Sequence, residues 1–285
     1  MKTLRLILGD QLNSNHSWFS NVDNNVIYCM FEMRQETDYV KHHIQKVVGF
    51  FAAMREFSNQ IRHNNHNVIY FSIGDSTNQH NLEKNIKLLI EQNDINHFEY
   101  QAPDEYRLDE QLKSICNNLS ISNSSCDTEH FLTTRNELAD FFEGKKQLLM
   151  ERFYRYMRKK HHILMVGEQP EGGIWNYDHN NRKKWKGSPE IPNYKSFKNE
   201  VQQICKDITL SKIETIGHFD DKYFEYPINL KQAQQQLSYF CTILLPHFGD
   251  YQDALHTEEV YLFHSRLSFA MNLKIISPKE IIDAC

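Results

Sequence analysis

Five short stretches of this chain combine residue types that can do chemistry. The first is Gly9-Asp10-Gln11, directly behind an apolar run. A glycine at the carboxyl end of a strand lets a ligand approach the backbone, and an aspartate beside it accepts hydrogen bonds from a ring N–H or a hydroxyl. The same triplet also serves as a plain strand-to-loop turn, so alone it leaves both readings open. No G-x-G-x-x-G is present, and a dinucleotide fingerprint is unsupported. The second stretch holds Glu32, Glu36 and Tyr39. It reads either as a polar ring around a heteroaromatic ligand, with Tyr39 as a wall, or as acidic decoration of a helix start, where Glu36 suits the macrodipole. His42 and His43 are adjacent and do not face each other on a helix, and His63 and His66 sit at a polar helix end. All four read as non-ligands, and no metal site is expected.

The third stretch places Arg152, Arg155, Arg158, Lys159 and Lys160 among Phe153, Tyr154 and Tyr156. Cations interleaved with aromatics suit phosphate contact, while a solvated basic face on an amphipathic helix gives the same pattern. The fourth runs through Gly167-Glu168-Gln169-Pro170 to Gly172-Gly173-Ile174-Trp175-Asn176 and Arg182. So many glycines and amides around one indole imply a fixed loop shape, because glycine permits positive φ and Asn bonds nearby backbone. The fifth is Ser265-Arg266-Leu267-Ser268, where hydroxyls three residues apart can face one phosphate or simply cap a helix.

These groups need elements to hold them. The chain has 285 residues, 40% hydrophobic, with a formal charge of −5, enough for a sizeable core and without a global basic field for nucleic acid. Apolar runs at Leu4–Leu8, Val26–Phe31, Val68–Ser72 and His97–Tyr100 predict four strands. Between them lie helical patterns: a long one capped by Asp38 and carrying Val40, Ile44, Val47, Phe51 and Met54, then Leu82–Ile90 and Leu108–Leu119. Strand–helix alternation argues for a parallel sheet with crossover helices. After about residue 130 the pattern turns helical. Thr134 and Glu137 form a capping box, and Gly144 stops that helix. Helices are expected over Leu148–Lys160, Phe197–Cys205 and Leu230–Leu245, the last ended by Pro246, and Ser277-Pro278 opens another. The six cysteines, at 29, 116, 126, 205, 241 and 285, include no C-x-x-C pair and read as buried free thiols. No signal peptide or membrane-length apolar run is visible, and a cytoplasmic location is expected.

The segments LILGDQL, ETDYVKHHIQK, FYRYMRKK, GEQPEGGIWNYDHNNR and HSRLSFAMN occur in this order. Together they resemble the photolyase-related proteins that include prokaryotic (6-4) photolyases and iron–sulfur bacterial cryptochromes, over essentially the whole chain. The resemblance implies a Rossmann-like α/β antenna domain at 1–130, a helical and irregular linker at 131–225, and the start of an all-helical FAD-binding domain at 226–285. It implies a 6,7-dimethyl-8-ribityllumazine antenna held by Gly9, Asp10, Phe31, Glu36 and Tyr39, and FAD contacts at Ser265, Leu267 and Ser268. His264 and Phe269 stand where photolyases more broadly carry Thr and Pro. DNA is the implied partner, with Arg152, Arg155 and Arg158 as its contacts, and the implied activity is light-driven repair of UV-damaged DNA, a carbon–carbon lyase reaction, or blue-light sensing. Family members run far beyond this length and carry four cluster cysteines that the six here do not match. The expectation is therefore a truncated, catalytically incompetent chain without an iron–sulfur cluster. The alternatives are a non-enzymatic chromophore- or nucleotide-binding protein and an unrelated nucleotide-dependent α/β enzyme.

Overall fold

The computed structural model describes residues 1–285. Five strands form one parallel sheet: β1 (Thr3–Leu6), β2 (Val26–Phe31), β3 (Asn67–Phe71), β4 (His97–Gln101) and β5 (Ser122–Cys126), in the order β3-β2-β1-β4-β5. Thr3 of β1 is in register with Val26 of β2 on one side and His97 of β4 on the other. Every residue of β2 is buried, which is what a strand covered on both faces requires. Strand order runs outward in opposite directions from the β1–β4 pair. With right-handed crossovers, the helices are then divided between the two faces.

The helices are α1 (Arg34–Asp38), α2 (Ile44–His63), α3 (Leu82–Gln92) and α4 (Tyr106–Asn117). Leu82, Ile86 and Leu89 of α3 and Leu108, Leu112 and Ile115 of α4 share a core with Leu4, Leu6, Cys29 and Phe98. On α2, Val47, Phe51, Met54, Phe57 and Ile61 are buried. Gly49 of this helix is a notch: a Cβ there would lie 2.5 Å from Cζ of Phe224. No helix is long and apolar enough to cross a membrane.

Several elements differ from the sequence reading. β5 was not expected, because Ser122-Asn123-Ser124-Ser125-Cys126 has no apolar alternation; it is a mostly exposed edge strand held by pairing to β4. Asp38 does not cap the long helix. It ends α1, where it pairs with Arg34 at 2.8 Å. The long helix starts at Ile44, with the His43 ring accepting from the Gln45 N–H. Between the two helices, Ile216 N–H donates to His42 O and Ile44 N–H to Ile216 O, and that bridge keeps the segment out of helical geometry. The helix expected over Phe197–Cys205 is α7 (Gln202–Leu210). Its expected first turn is extended because the buried Asn199 donates to the carbonyls of Phe224 and Tyr226. Pro246 does not end a helix. A wide π turn over Phe240–Leu244 follows α8 (Leu230–Tyr239), and Pro246 sits in the first turn of α9 (Leu245–Tyr251), where a missing N–H is harmless. Of the cysteines, Cys29 and Cys116 are buried, but Cys285 is exposed.

The chain gathers into two compact units. One comprises residues 1–130, 195–236 and 267–277, and the other 131–194, 237–266 and 278–285. In the second, Thr134 accepts from the Glu137 N–H to open α5 (Arg135–Phe142), as the capping pattern predicts. Phe141 and Phe142 pack edge-on and tilted against Phe153 of α6 (Met150–His161). The short helices α10 (Ser268–Asn272) and α11 (Pro278–Ala284) are the last two in the chain.

Candidate functional site

A cavity of about 240 Å³ opens at the carboxyl ends of β1, β2 and β4, beside the switch point between β1 and β4. Open parallel sheets bind ligands there. Gly9, Asp10, Phe31, Glu36 and Tyr39 all line it. Its apolar walls come from the strand ends (Leu8, Phe31, Met33) and from α2 (Phe50, Phe51, Met54). The polar lining is mostly acidic: Asp10, Glu32, Glu36, Asp104 and Glu105, against one ammonium, Lys46, and the His42 ring. Burial and the nearby Lys46 ammonium hold the His42 imidazole below its usual range.

Each carboxylate is fixed by a different partner. Glu32 is fully buried and accepts from both Nε and Nη2 of Arg55, at 2.7 and 3.0 Å, from the Tyr70 hydroxyl at 2.5 Å and from the Ile73 N–H at 2.8 Å. Arg55 also reaches Asp207 of α7 at 2.8 Å. Burial opposes the Arg55 charge, but Glu32 and Asp207 more than offset it and raise its pKa. Glu32, placed by the sequence in the ligand ring, therefore acts mainly as a buried anchor. Glu36 lies in the first turn of the short helix α1, not of the long helix, and accepts from Arg107 at 2.8 Å. The same guanidinium pairs with Glu105 and lies 4.8 Å over the Tyr39 ring. Tyr39 is exposed at the mouth of the cavity rather than forming an inner wall. Asp10 and Asp104 share the ammonium of Lys274, at 3.3 and 2.6 Å. Burial, with the Asp104 charge, raises the Asp10 carboxyl above its ordinary range, and Lys274 opposes that. Arg55, Arg107 and Lys274 were missed by sequence reasoning. Their only signal was being cations near helical patterns, which many surface residues share.

The other candidate residues fall elsewhere. Leu267 is buried, Ser268 is the exposed first residue of α10, and Ser265 is half-buried in the second compact unit. Arg152 and Arg155 are exposed on α6, but Arg158 does not belong to a solvated basic face. It is buried, and its guanidinium donates to the carbonyls of Ile163, Leu164 and Trp175. That arginine is what fixes the glycine-rich loop, and Arg155 stacks 5.1 Å over the Trp175 ring. His63 bonds the Asn59 carbonyl, and His66 packs edge-on against Phe19 and Tyr28.

The strand order defines a Rossmann-like α/β domain with a cavity at its switch point. Residues 5–224 match the family described as deoxyribodipyrimidine photo-lyase-related protein, and the chain belongs to that family. It is 32% identical, over its whole length, to a (6-4) photolyase of Agrobacterium fabrum (strain C58 / ATCC 33970), and it spans 56% of that relative. Its fold is similar to the crystal structure of a bacterial class III photolyase from Agrobacterium tumefaciens, with a TM-score of 0.55 at 13% identity, covering 99% of this chain and 52% of that one.

Proposed function

We propose that this chain carries the light-collecting part of a photolyase-related protein and holds 6,7-dimethyl-8-ribityllumazine in the cavity at the β1–β4 switch point. The observation that carries this reading is the acceptor-rich lining. Four of its carboxylates are held by cations outside the lining, Asp10 and Asp104 by Lys274, Glu36 and Glu105 by Arg107, and Lys46 is the one Lys or Arg in the lining itself. Their remaining lone pairs suit a neutral ring system that presents N–H and hydroxyl donors, and the lining offers a nucleotide's phosphates little beyond that one ammonium. The lumazine is phosphate-free, with a flat bicycle for the apolar walls and a polyol arm for the carboxylates. Bound there, it supplies absorption at the violet end of the spectrum. Gly9 admits the ring to the backbone, Phe31 packs beneath it, Asp10 and Glu36 accept from it, and Tyr39 covers the mouth.

In sequence order, the antenna role falls to 1–130, a linking role to 131–225 and the flavin contacts to 226–285, with Ser265, Leu267 and Ser268 as the candidates for FAD. The family role proposed for the protein is light-driven repair of UV-damaged DNA or blue-light sensing. No catalytic residue is proposed among the described side chains. The DNA contacts proposed are narrowed to Arg152 and Arg155, since Arg158 is committed to the loop.

The test is a titration of the purified chain with the lumazine, followed by absorption and fluorescence, with FMN and ATP as competitors. One equivalent should bind, with its fluorescence quenched, and neither phosphate compound should displace it. No binding, or displacement by ATP, would refute the reading. In a parallel assay, Arg152→Gln with Arg155→Gln should weaken binding to duplex DNA; unchanged affinity returns α6 to a packing role.

A further inference from the structure

We propose that Lys274 is the positioning residue of this cavity: it clamps Asp10 to Asp104, so that Asp10 meets the ligand as a charged acceptor and the site selects a ring N–H or hydroxyl donor. The inference rests on the cavity being a ligand site and adds how that site chooses its ligand.

Lys274 comes from far along the chain, just past α10, yet its side chain is 2% exposed. Its ammonium meets Asp104 Oδ2 at 2.6 Å, the Asp10 carbonyl at 2.9 Å and Asp10 Oδ2 at 3.3 Å. An ammonium has three N–H donors, so one buried lysine can hold both carboxylates at once. Lys274 has φ +59° at the position after α10 where helices ordinarily place glycine. A lysine there sacrifices conformational ease, so its side chain is the reason for its presence. The position is enclosed, flanked by the buried Leu273, Ile275 and Ile276, and the Leu12 N–H donates to the Leu273 carbonyl.

Asp10 and Asp104 both line the cavity. Burial favours a protonated Asp10, which would donate a hydrogen bond and suit a ligand acceptor. The Lys274 charge favours the carboxylate, which accepts through as many as about four lone-pair sites and still has room after one contact to Lys274. The other charged groups facing the same space are Glu32 at the end of β2, Glu36 and His42 from the β2–α2 connection, Lys46 of α2, and Asp104 and Glu105 from the β4–α4 connection. Arg55 is committed to Glu32, and Arg107 to Glu36 and Glu105, whereas Lys274 is in direct contact with Asp10 and so sets the balance there.

The experiment compares the full chain with Lys274→Met, Lys274→Arg and Asp104→Asn. One measurement follows the Asp10 carboxyl by carbon NMR across pH without ligand. The other measures lumazine affinity from pH 5 to 8. In Lys274→Met the Asp10 midpoint should move to higher pH, affinity at pH 7 should fall by roughly tenfold or more, and binding should fail on acidification at a higher pH than in the wild type. Lys274→Arg should restore most of the affinity. Asp104→Asn, which removes a neighbouring negative charge, should move the Asp10 midpoint to lower pH. An unmoved Asp10 midpoint, or an unchanged pH profile of binding, in Lys274→Met overturns the proposal. If that variant does not fold, an unmoved midpoint in Asp104→Asn overturns it. Absence of lumazine binding by the wild type would refute the antenna reading instead, while the Asp10 titration still decides whether Lys274 controls that carboxylate.

Discussion

Replacing Gly9 by alanine separates a ligand site from a structural turn. Gly9 does not sit in the left-handed region, so alanine is conformationally allowed there. Its Cβ would stand 3.0 Å from the Met54 sulfur and 3.6 Å from Phe50 Cδ1. The nearer contact is the flexible end of a methionine, which can give way. Alanine also lowers the entropy of the unfolded chain, worth about 0.4–1 kcal/mol, so the net change in stability should be within about 1 kcal/mol of zero. Binding should respond far more. The new methyl projects among the cavity-lining residues Met54 and Phe50, in the layer that a ring lying on the β1 backbone would occupy. Overpacking of this kind costs about 1–3 kcal/mol. At about 1.4 kcal/mol per tenfold, that is roughly a 5- to 150-fold loss of lumazine affinity. Fluorescence titration reads the affinity, and urea unfolding reads the stability. Equal affinity in an equally stable variant would show that no ligand lies on Gly9. A stability loss above about 2 kcal/mol would show that the glycine serves the turn instead.

Glu32→Gln should destabilise the first unit, because it leaves the Arg55 guanidinium beside a neutral amide in place of a bidentate carboxylate. Breaking a buried pair costs about 3–5 kcal/mol, reduced here to about 2–3 because Asp207 remains and Arg55 is partly exposed. Calorimetry should show a Tm lower by about 4–12 °C, and a change under about 1 °C would mean that the network contributes little. In the second unit, hydrogen bonds from Lys160, Tyr156 and Thr133 pull the Glu137 carboxyl down to about 2 from an ordinary 4.5. A carboxyl depressed in the folded state stabilises above its unfolded value and loses that contribution as pH falls toward the folded one. Wild-type thermal stability should therefore fall between pH 4.5 and about 2 more steeply than that of Glu137→Gln; parallel curves would contradict this.

The sequence made the sheet legible where each strand was buried on both faces, as in β2, whose predicted limits match the structure. It hid β5, because an edge strand of serines is held by its neighbour and not by its own propensity. It showed the residues that line the cavity from the strand ends, Gly9, Asp10 and Phe31, since a chain leaving a strand must pass the site. It hid the cations that hold the carboxylates. Arg107 is 71 residues from Glu36 and Lys274 is 264 residues from Asp10, and no local pattern encodes a pairing over such distances. It also misread Arg158, because a buried arginine that feeds carbonyls and a surface arginine that meets phosphate occupy identical positions in a helical repeat.

The notch at Gly49 bears on how this protein can be cut or recombined. Phe224 fits against a helix that has no side chain at that point. Nearby, Asp207 grips Arg55, and Asn229 holds Glu56 at 2.9 Å. A fragment ending at residue 130 would keep the whole sheet yet bare a furrow along α2 shaped for a phenylalanine it no longer has. A piece that keeps this unit whole must bring residues 195–236 and 267–277 with it, since Phe269 also lies at the notch, and a chimaera with a relative has to exchange helix and furrow-fillers together.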